Sequence, residues 1–447
     1  MKFIETIKNI FKIEELRSRI LYTLGILLIY RLGSFIVLPG IDPSLIANSD
    51  LANQTKDGIL SMLNMFTGGA FANASVFALG IMPYISASIV IQLMGIAVPY
   101  FQRLQKEGES GRNKINQITR YLTVIILLLQ APSYLANLHA QLPDAAFTMP
   151  DFFFTISSVL VLTSGTVFVM WLGEKITDKG IGNGISLIIM VGIIARLPFS
   201  LGAELGQRLE GNGGLIMFLV EIVIWLLVIV FSIMLVQGVR RIPVQYAKRV
   251  VGNKQYGGVR QYIPLKVNAA GVMPIIFAQA LMFVPVMLGG FASGGETNWF
   301  TTAFSDFTGF TYNFTFALMI IIFTYFYTAI IVNPTQMAED MKRNGGFIPG
   351  VKPGKKTVEF LDSIMSKITL PGSIFLAIIS ILPAFAMIIG VNPKFAQFYG
   401  GTSLLILVGV VLDTLQQIES HLLMRHYDGL MKTGRIKGRA GGQGSMI

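Results

Sequence analysis

Apolar runs of spanning length recur along the chain, at about 20–39, 76–98, 118–138, 152–173, 181–200, 215–236, 269–289, 314–333, 372–390 and 399–424. A helix needs about 20 predominantly apolar residues to cross the hydrocarbon core of a bilayer, so the pattern predicts ten spans. The last turns amphipathic between Asp413 and Arg425 and is expected to leave the membrane there as a helix. The first follows Lys8, Lys12, Arg17 and Arg19, but it is too long for a signal-peptide core. No small-residue cleavage site follows it, so it reads as a retained span. One further apolar stretch, Ile59 to Ala74, is broken by Gly68 and Gly69 and is too short to cross alone. It is open to two readings. Non-helical backbone at membrane depth survives only inside protein or against a water cavity, which would make it a re-entrant segment stopping that cavity. Otherwise it is an interfacial helix lying on the outer surface.

Two pairs of segments repeat. GIMPYI at 80–85 returns as GVMPII at 271–276, and GISLIIMVG at 184–192 returns as GTSLLILVG at 401–409. The first pair relates span 2 to span 7 and the second span 5 to span 10. Both jump five spans, and five is odd, so the two halves cross the membrane in opposite directions. Inverted repeats of this kind place the working site between the halves near the bilayer midplane, at the Gly and Pro interruptions.

Composition supports a membrane class. Of 447 residues, 53% are hydrophobic and 13% charged, where soluble proteins run at about a quarter charged. Lys and Arg exceed Asp and Glu by 35 to 24. With the N-terminus assigned to the cytoplasm, the cytoplasmic stretches hold 30 of those 35 basic residues, leaving Arg31, Lys56, Arg196, Arg208 and Lys394 outside. The net charge is therefore chiefly an orientation signal. Two cytoplasmic loops, roughly 237–268 and 336–371, are nevertheless longer and more basic than orientation needs.

The candidate midplane residues are isoleucines. Ile81 and Ile85 share a helix face, as do Ile185 and Ile189, and the repeat sets Ile85 against Ile276 and Ile189 against Ile406. Stiff branched side chains suit a constriction that excludes water. Most isoleucines in membrane spans simply pack or face lipid, and the residues alone leave both readings open.

Catalytic chemistry finds little support. Cysteine is absent, which removes thiol nucleophiles, disulfides and thiolate metal sites. The histidines, His139, His421 and His426, are too scattered for a metal cluster. GVKPGKKT at 350–357 falls one residue short of the G-x-x-x-x-G-K-S/T phosphate loop, GIGNG at 180–184 lacks dinucleotide spacing, and GESGR at 108–112 is no nucleophile elbow. The expectation is a non-enzyme with no cofactor. A secondary transporter of small solutes with five-plus-five repeats would need buried, paired ionisable residues on core spans, which the sequence almost lacks, since Asp413 and Glu221 lie towards span ends. A scaffold anchoring partner subunits is the third class.

Several longer motifs carry a family resemblance. FTGGAFANASVFALGIMPYISASIVIQL (66–93), QKEGESGRNKINQITRY (105–121), GIGNGISLIIM (180–190), RRIPVQYAKR (240–249), PLKVNAAGVMPIIFA (264–278), GFIPGVKPGKKT (346–357) and GGTSLLI (400–406) resemble, in order from about residue 15 to 437, the SecY family of channel subunits of bacterial protein translocation. The resemblance implies an all-α polytopic fold of ten transmembrane helices in two inverted five-helix halves around a central pore. The parts would be a cytoplasmic segment 1–19, a first half 20–205 with a plug at 59–74, a second half 206–426, and a basic cytoplasmic tail 427–447. It makes Ile81, Ile85, Ile185, Ile189, Ile276 and Ile406 a pore ring, and Leu63, Asn64, Met65, Phe66, Thr67, Gly68 and Gly69 the centre of the plug. It makes spans 2 and 3 facing 7 and 8 a lateral gate, with Ser86, Gln92, Thr119 and Asn268 as gate candidates; their plainer reading is ordinary interhelical hydrogen bonding. The basic loops become docking surfaces, through Arg240, Arg241, Lys248, Arg249, Lys254, Arg260, Lys352, Lys355 and Lys356. The family usually has Arg where this chain has Lys352, and Lys cannot reproduce Arg's bidentate fork. Implied partners are the small subunits SecE and SecG, the SecA motor ATPase, the ribosome through its RNA and proteins, signal sequences and nascent chains, and membrane lipids including anionic phospholipid. The implied location is the bacterial cytoplasmic membrane with both termini cytoplasmic.

Overall fold

The computed structural model describes residues 13–48, 64–211, 214–246, 249–251, 254–256, 260–279, 281–282, 306 and 308–432. The helices are α1 (Glu14–Gly33), α2 (Pro43–Asn48), α3 (Met82–Ala97), α4 (Pro99–Lys106), α5 (Glu109–Gln141), α6 (Asp151–Lys179), α7 (Gly184–Leu209) and α8 (Gly214–Gln237), then α9 (Phe310–Ile331), α10 (Pro334–Arg343), α11 (Lys355–Ile388), α12 (Pro393–Ala396) and α13 (Gly401–Lys432). Residues 273–279 are also helical. Among the described residues seven helices are long and apolar enough to cross a membrane, or eight if the bent pair α3 and α4 forms one span. Glu14, Glu15, Arg17, Arg19 and Arg31 keep α1 out of that group, and the seventh span runs past the described residues at 282. Adding both gives a ten-span helical membrane fold.

The repeats are visible in the backbone. Gly80 and Gly271 both hold a positive φ, +54° and +64°. In each case the helix begins two residues later, at Met82 and Met273, with Pro83 and Pro274 in the first turn, where proline's missing N–H has no partner to lose. The second pair behaves alike, since Gly184 opens α7 and Gly401 opens α13. This local geometry corrects the second span. Residues 76–81 are turns, not helix, because the left-handed Gly80 stops any helix from starting earlier.

The first five spans pack α1 on α6, α3 on α5, α5 on α6 and α6 on α7, while α9, α11, α8 and α13 pack together in the second set. The sets join along α7 with α8 and α13. They meet again where α3 lies against residues 270–277 and α9.

The two long basic loops form one folded unit. Val239–Tyr246 (β1) pairs antiparallel with Arg260–Lys266 (β4) and with Gly346–Phe347 (β5), and Arg249–Val251 (β2) pairs with Lys254–Tyr256 (β3). Ile242, Val244 and Leu265 from the sheet are buried against Met341 of α10, Ile348, and Leu361 and Met365 of α11. At 34 residues α11 is about 50 Å long. That exceeds the roughly 30 Å hydrocarbon core, so its first turns stand clear of the membrane beside the sheet.

Candidate functional site

All six isoleucines singled out by the repeat meet in one apolar cluster. Ile81, at the N-cap of α3, and Ile189 on α7 and Ile406 on α13 are buried within it. Ile85, Ile185 and Ile276 are half-buried and pack against it. Helical spacing puts Ile81 over Ile85 and Ile185 over Ile189, so two helices each contribute a stacked pair. Met65 and Phe66 belong to the same cluster, as do Ile193 and Val410. Sequence reasoning did not single out Ile193, although it lies four residues beyond Ile189 on the same helix face.

Residues 64–74 do not lie on the surface. They form one helical turn and then a run of turns, with every residue from Met65 to Phe71 buried. Glycines allow the close approach. A Cβ on Gly192 of α7 would come within 2.7 Å of the Phe66 carbonyl oxygen, and one on Gly68 within 2.9 Å of the Gly192 Cα. The segment's polar groups are met by side chains from three helices. Arg31 Nη1 donates to the Gly68 carbonyl at 2.6 Å, Arg196 Nη2 to Asn64 Oδ1 at 3.1 Å, and Tyr134 Oη to the Phe71 carbonyl at 2.8 Å. Asn64 Oδ1 also accepts from the Ala72 amide, closing the loop on itself. Towards the second half, Ser403 Oγ donates to Met65 Sδ at 2.9 Å. Leu63 lies outside the described residues.

Apart from the contacts of α7 with α8 and α13, α3 faces residues 270–277 and α9. This seam is apolar, built from buried Ile89, Ala270, Phe277 and Tyr327 with Ile85, Ile276 and Phe323 beside them. Tyr327 Oη crosses it to Gln92 Oε1 at 3.4 Å, a long and weak bond. Of the four gate candidates, Gln92 thus reaches across. Ser86 is half-buried on α3. Thr119 spends its hydroxyl on the Ile115 carbonyl of its own helix, and Asn268 is buried with no partner for Oδ1 among the described residues. Tyr327 was missed by sequence reasoning, being one aromatic among many on its span.

Arg240 and Arg241 are exposed on β1, and Lys352, Lys355 and Lys356 are exposed at and before the start of α11. Thr357 Oγ1 donates to the Lys352 carbonyl and fixes that turn, while Lys356 pairs with Glu359 on its own helix at 2.9 Å. Arg249, Lys254 and Arg260 stand on β2, β3 and β4. Lys248 lies outside the described residues.

A buried ionic cluster joins Glu221, which the sequence placed towards a span end, to Glu204 and Arg208 at the end of α7. Arg208 of α7 donates to Glu204 Oε1 one turn back and, through Nη2, to Glu221 Oε1 of α8 and the Gly390 carbonyl. Glu204 Oε2 accepts from the Asn392 amide at 2.7 Å. Glu204 is fully buried, and Arg208 and Glu221 nearly so. The cluster therefore ties α7, α8 and the turn after α11 together. Glu204 sits fifteen residues beyond Ile189 on α7, about 22 Å along the helix.

A family profile described as SecY matches residues 75–415. The protein translocase subunit SecY of Streptomyces scabiei is 42% identical over 432 residues, covering 94% of this chain and 98% of its own length. A solved structure described as "The structure of a protein conducting channel" has a TM-score of 0.63 at 18% identity, covering 90% of this chain and 91% of that one. Another, "Sec61 in the Canine ribosome-channel complex from the endoplasmic reticulum", has a TM-score of 0.59 at 17% identity over 90% and 91%. At such identities these two likenesses speak for the fold.

Proposed function

The chain belongs to the SecY family, whose relatives include curated protein translocase subunits, and from that premise we propose how its pore conducts a polypeptide. It is a membrane-embedded translocase subunit. One observation carries the reading further than the family does: six isoleucines from four separate stretches of sequence converge in one cluster, with the re-entrant segment packed into it. A collar of branched apolar side chains excludes water and ions at rest and closes around whatever chain passes. Segment 64–69 stops the resting pore from the outer side. A signal sequence enters along the seam between α3, residues 270–277 and α9. In lipid no hydrophobic force favours closing an apolar seam over lining it with an apolar signal helix, so opening costs little beyond packing and one weak polar tie. Membrane segments leave laterally by the same route.

Nothing in the chain resembles nucleotide-hydrolysing machinery, so work comes from chain synthesis or from a motor. In this reading SecA or a ribosome docks on the unit formed by β1, β4, β5 and the start of α11, SecE and SecG brace the helices, and anionic lipid surrounds the cytoplasmic rim. The membrane is the bacterial cytoplasmic one, with both termini inside, in line with the distribution of basic residues. For the docking surface, replacing Arg240 and Arg241 by alanine is expected to weaken ribosome binding. The slope of log affinity against log salt should fall by roughly one for each phosphate that the variant no longer neutralises. An unchanged slope with weakened motor binding would reassign the surface to an acidic protein partner.

The translocase reading as a whole is tested by depleting the protein in its source cell and following secreted precursors by pulse labelling. Precursors should accumulate within the depletion; normal processing would remove the proposal. The buried Glu204–Arg208–Glu221 cluster is what a proton-coupled transporter would display. It lies far along α7 from the isoleucines, however, and is bonded to a turn, which suits a structural tie better.

A further inference from the structure

Arg31 and Arg196 are costly residues to place within apolar spans, and both are turned onto the same short segment. Arg31 closes the last turn of α1, and Arg196 stands seven residues beyond Ile189 on α7. Arg31 bonds the Gly68 carbonyl and Arg196 the Asn64 side chain. The Arg196 guanidinium also lies close against Gly69, where an added Cβ would meet its Nη2 at 2.3 Å and its Nε at 2.9 Å. Among the described residues neither arginine has a salt-bridge partner. These bonds to the segment, with the Phe35 ring beside Arg31, are what meets the two charges there. Both arginines belong to the first five spans. The second half touches the segment's near end through Ser403 and Met65.

We propose that Arg31 and Arg196 are positioning residues forming a latch, which holds segment 64–69 across the resting pore by its Gly68 carbonyl and its Asn64 amide. The proposal rests on the reading of that segment as the stopper and deepens it. Because one bond goes to a main-chain carbonyl, changing the segment's side chains cannot remove it. The latch is worked from α1 and α7, and movement of α7 relative to α1 separates the two guanidiniums and lets the segment go. The latch also sets how strongly a signal sequence must engage before the pore opens.

The test uses the complete translocase reconstituted in planar bilayers, together with export of a reporter bearing a crippled signal sequence. The double variant Arg31→Leu/Arg196→Leu should raise resting conductance on the order of tenfold, as expected for losing charge-assisted hydrogen bonds. It should also export the crippled reporter, while Arg196→Lys recovers part of the seal. Where the double variant fails to accumulate, Asn64→Cys/Arg196→Cys serves instead, because the chain has no cysteine of its own. A short bis-methanethiosulfonate, which forms a disulfide with each cysteine and releases sulfinate, should silence this leaky variant, and reduction of both disulfides with dithiothreitol should restore the leak. Wild-type conductance and stringency in the double variant, or a leak in the cysteine variant that bridging leaves unchanged, would overturn the latch. Deleting residues 64–69 separates the two levels. A leak on deletion without a leak in the arginine variants sinks the latch alone, whereas no leak on deletion sinks the stopper reading beneath it.

Discussion

Replacing Arg208 by methionine is expected to lower the stability of the protein by about 3–5 kcal/mol, the usual cost of removing one member of a buried ion cluster. The change leaves Glu204 and Glu221 buried without their shared cation and strips the Gly390 carbonyl of its donor. Glu221 Oε2 already has no partner among the described residues, so no spare hydrogen bond stands ready to compensate. The loss falls on the junction of α7, α8 and the turn after α11, where the two sets of five spans are joined. It should appear as a lower aggregation midpoint on heating the purified complex in detergent. Converting the whole cluster, by adding Glu204→Gln and Glu221→Leu to Arg208→Met, should recover most of the loss, since a buried network replaced entirely by neutral groups is often tolerated. An unchanged midpoint in the single variant would mean that the cluster contributes nothing to stability.

The same residue shows where reading the chain stops short. Arg196 and Arg208 entered the sequence argument as two of five basic residues on the outer side, a sound use of them for orientation. Charge counting is blind to partners. Glu221 lies 13 positions away on the next helix and Gly390 lies 182 away, so their meeting is a product of packing. One local sign was available, the Glu204–Arg208 spacing of four, which places both side chains on one helix face.

Where pattern and local geometry coincide, the chain was legible. Spans follow from apolar length, and the repeat found by letters returns as paired backbone geometry at Gly80 and Gly271. The isoleucines named from that repeat fall within one apolar cluster, three buried and three packed at its edge. The basic loops were read for charge, yet the alternation in Val239–Tyr246, with Ile242 and Val244 inward and Arg241 and Pro243 outward, is a strand signal that charge obscured. Its pairing with β5, about a hundred residues on, is a contact no local pattern carries. Tyr327 is similar: its importance comes from lying opposite Gln92, and nothing within its own helix marks it.

The collar makes the sharpest demand on experiment, because an isoleucine that seals and one that merely packs respond differently to the same substitutions. Ile276→Val and Ile85→Val keep the branched apolar surface and should leave resting conductance near the wild type, at a stability cost of about 0.5–1.5 kcal/mol. If the proposed collar is a constriction too apolar to hold water, Ile276→Asn and Ile85→Asn put a polar group into it. Both residues are half-buried at the edge of the cluster, so an amide there carries a smaller burial cost than at Ile81, Ile189 or Ile406. Each asparagine variant should raise resting ion conductance on the order of tenfold, since an uncompensated polar group costs about 1–3 kcal/mol in an apolar site and is relieved only by admitting water. The two together should leak more than either alone, and both should pass precursors with weakened signal sequences. If these residues only pack, the valine and asparagine series will order by stability, with conductance unmoved until the protein fails. Single-channel recording beside thermal midpoints separates the two, and a flat conductance across the asparagine series would leave the six isoleucines as ordinary core.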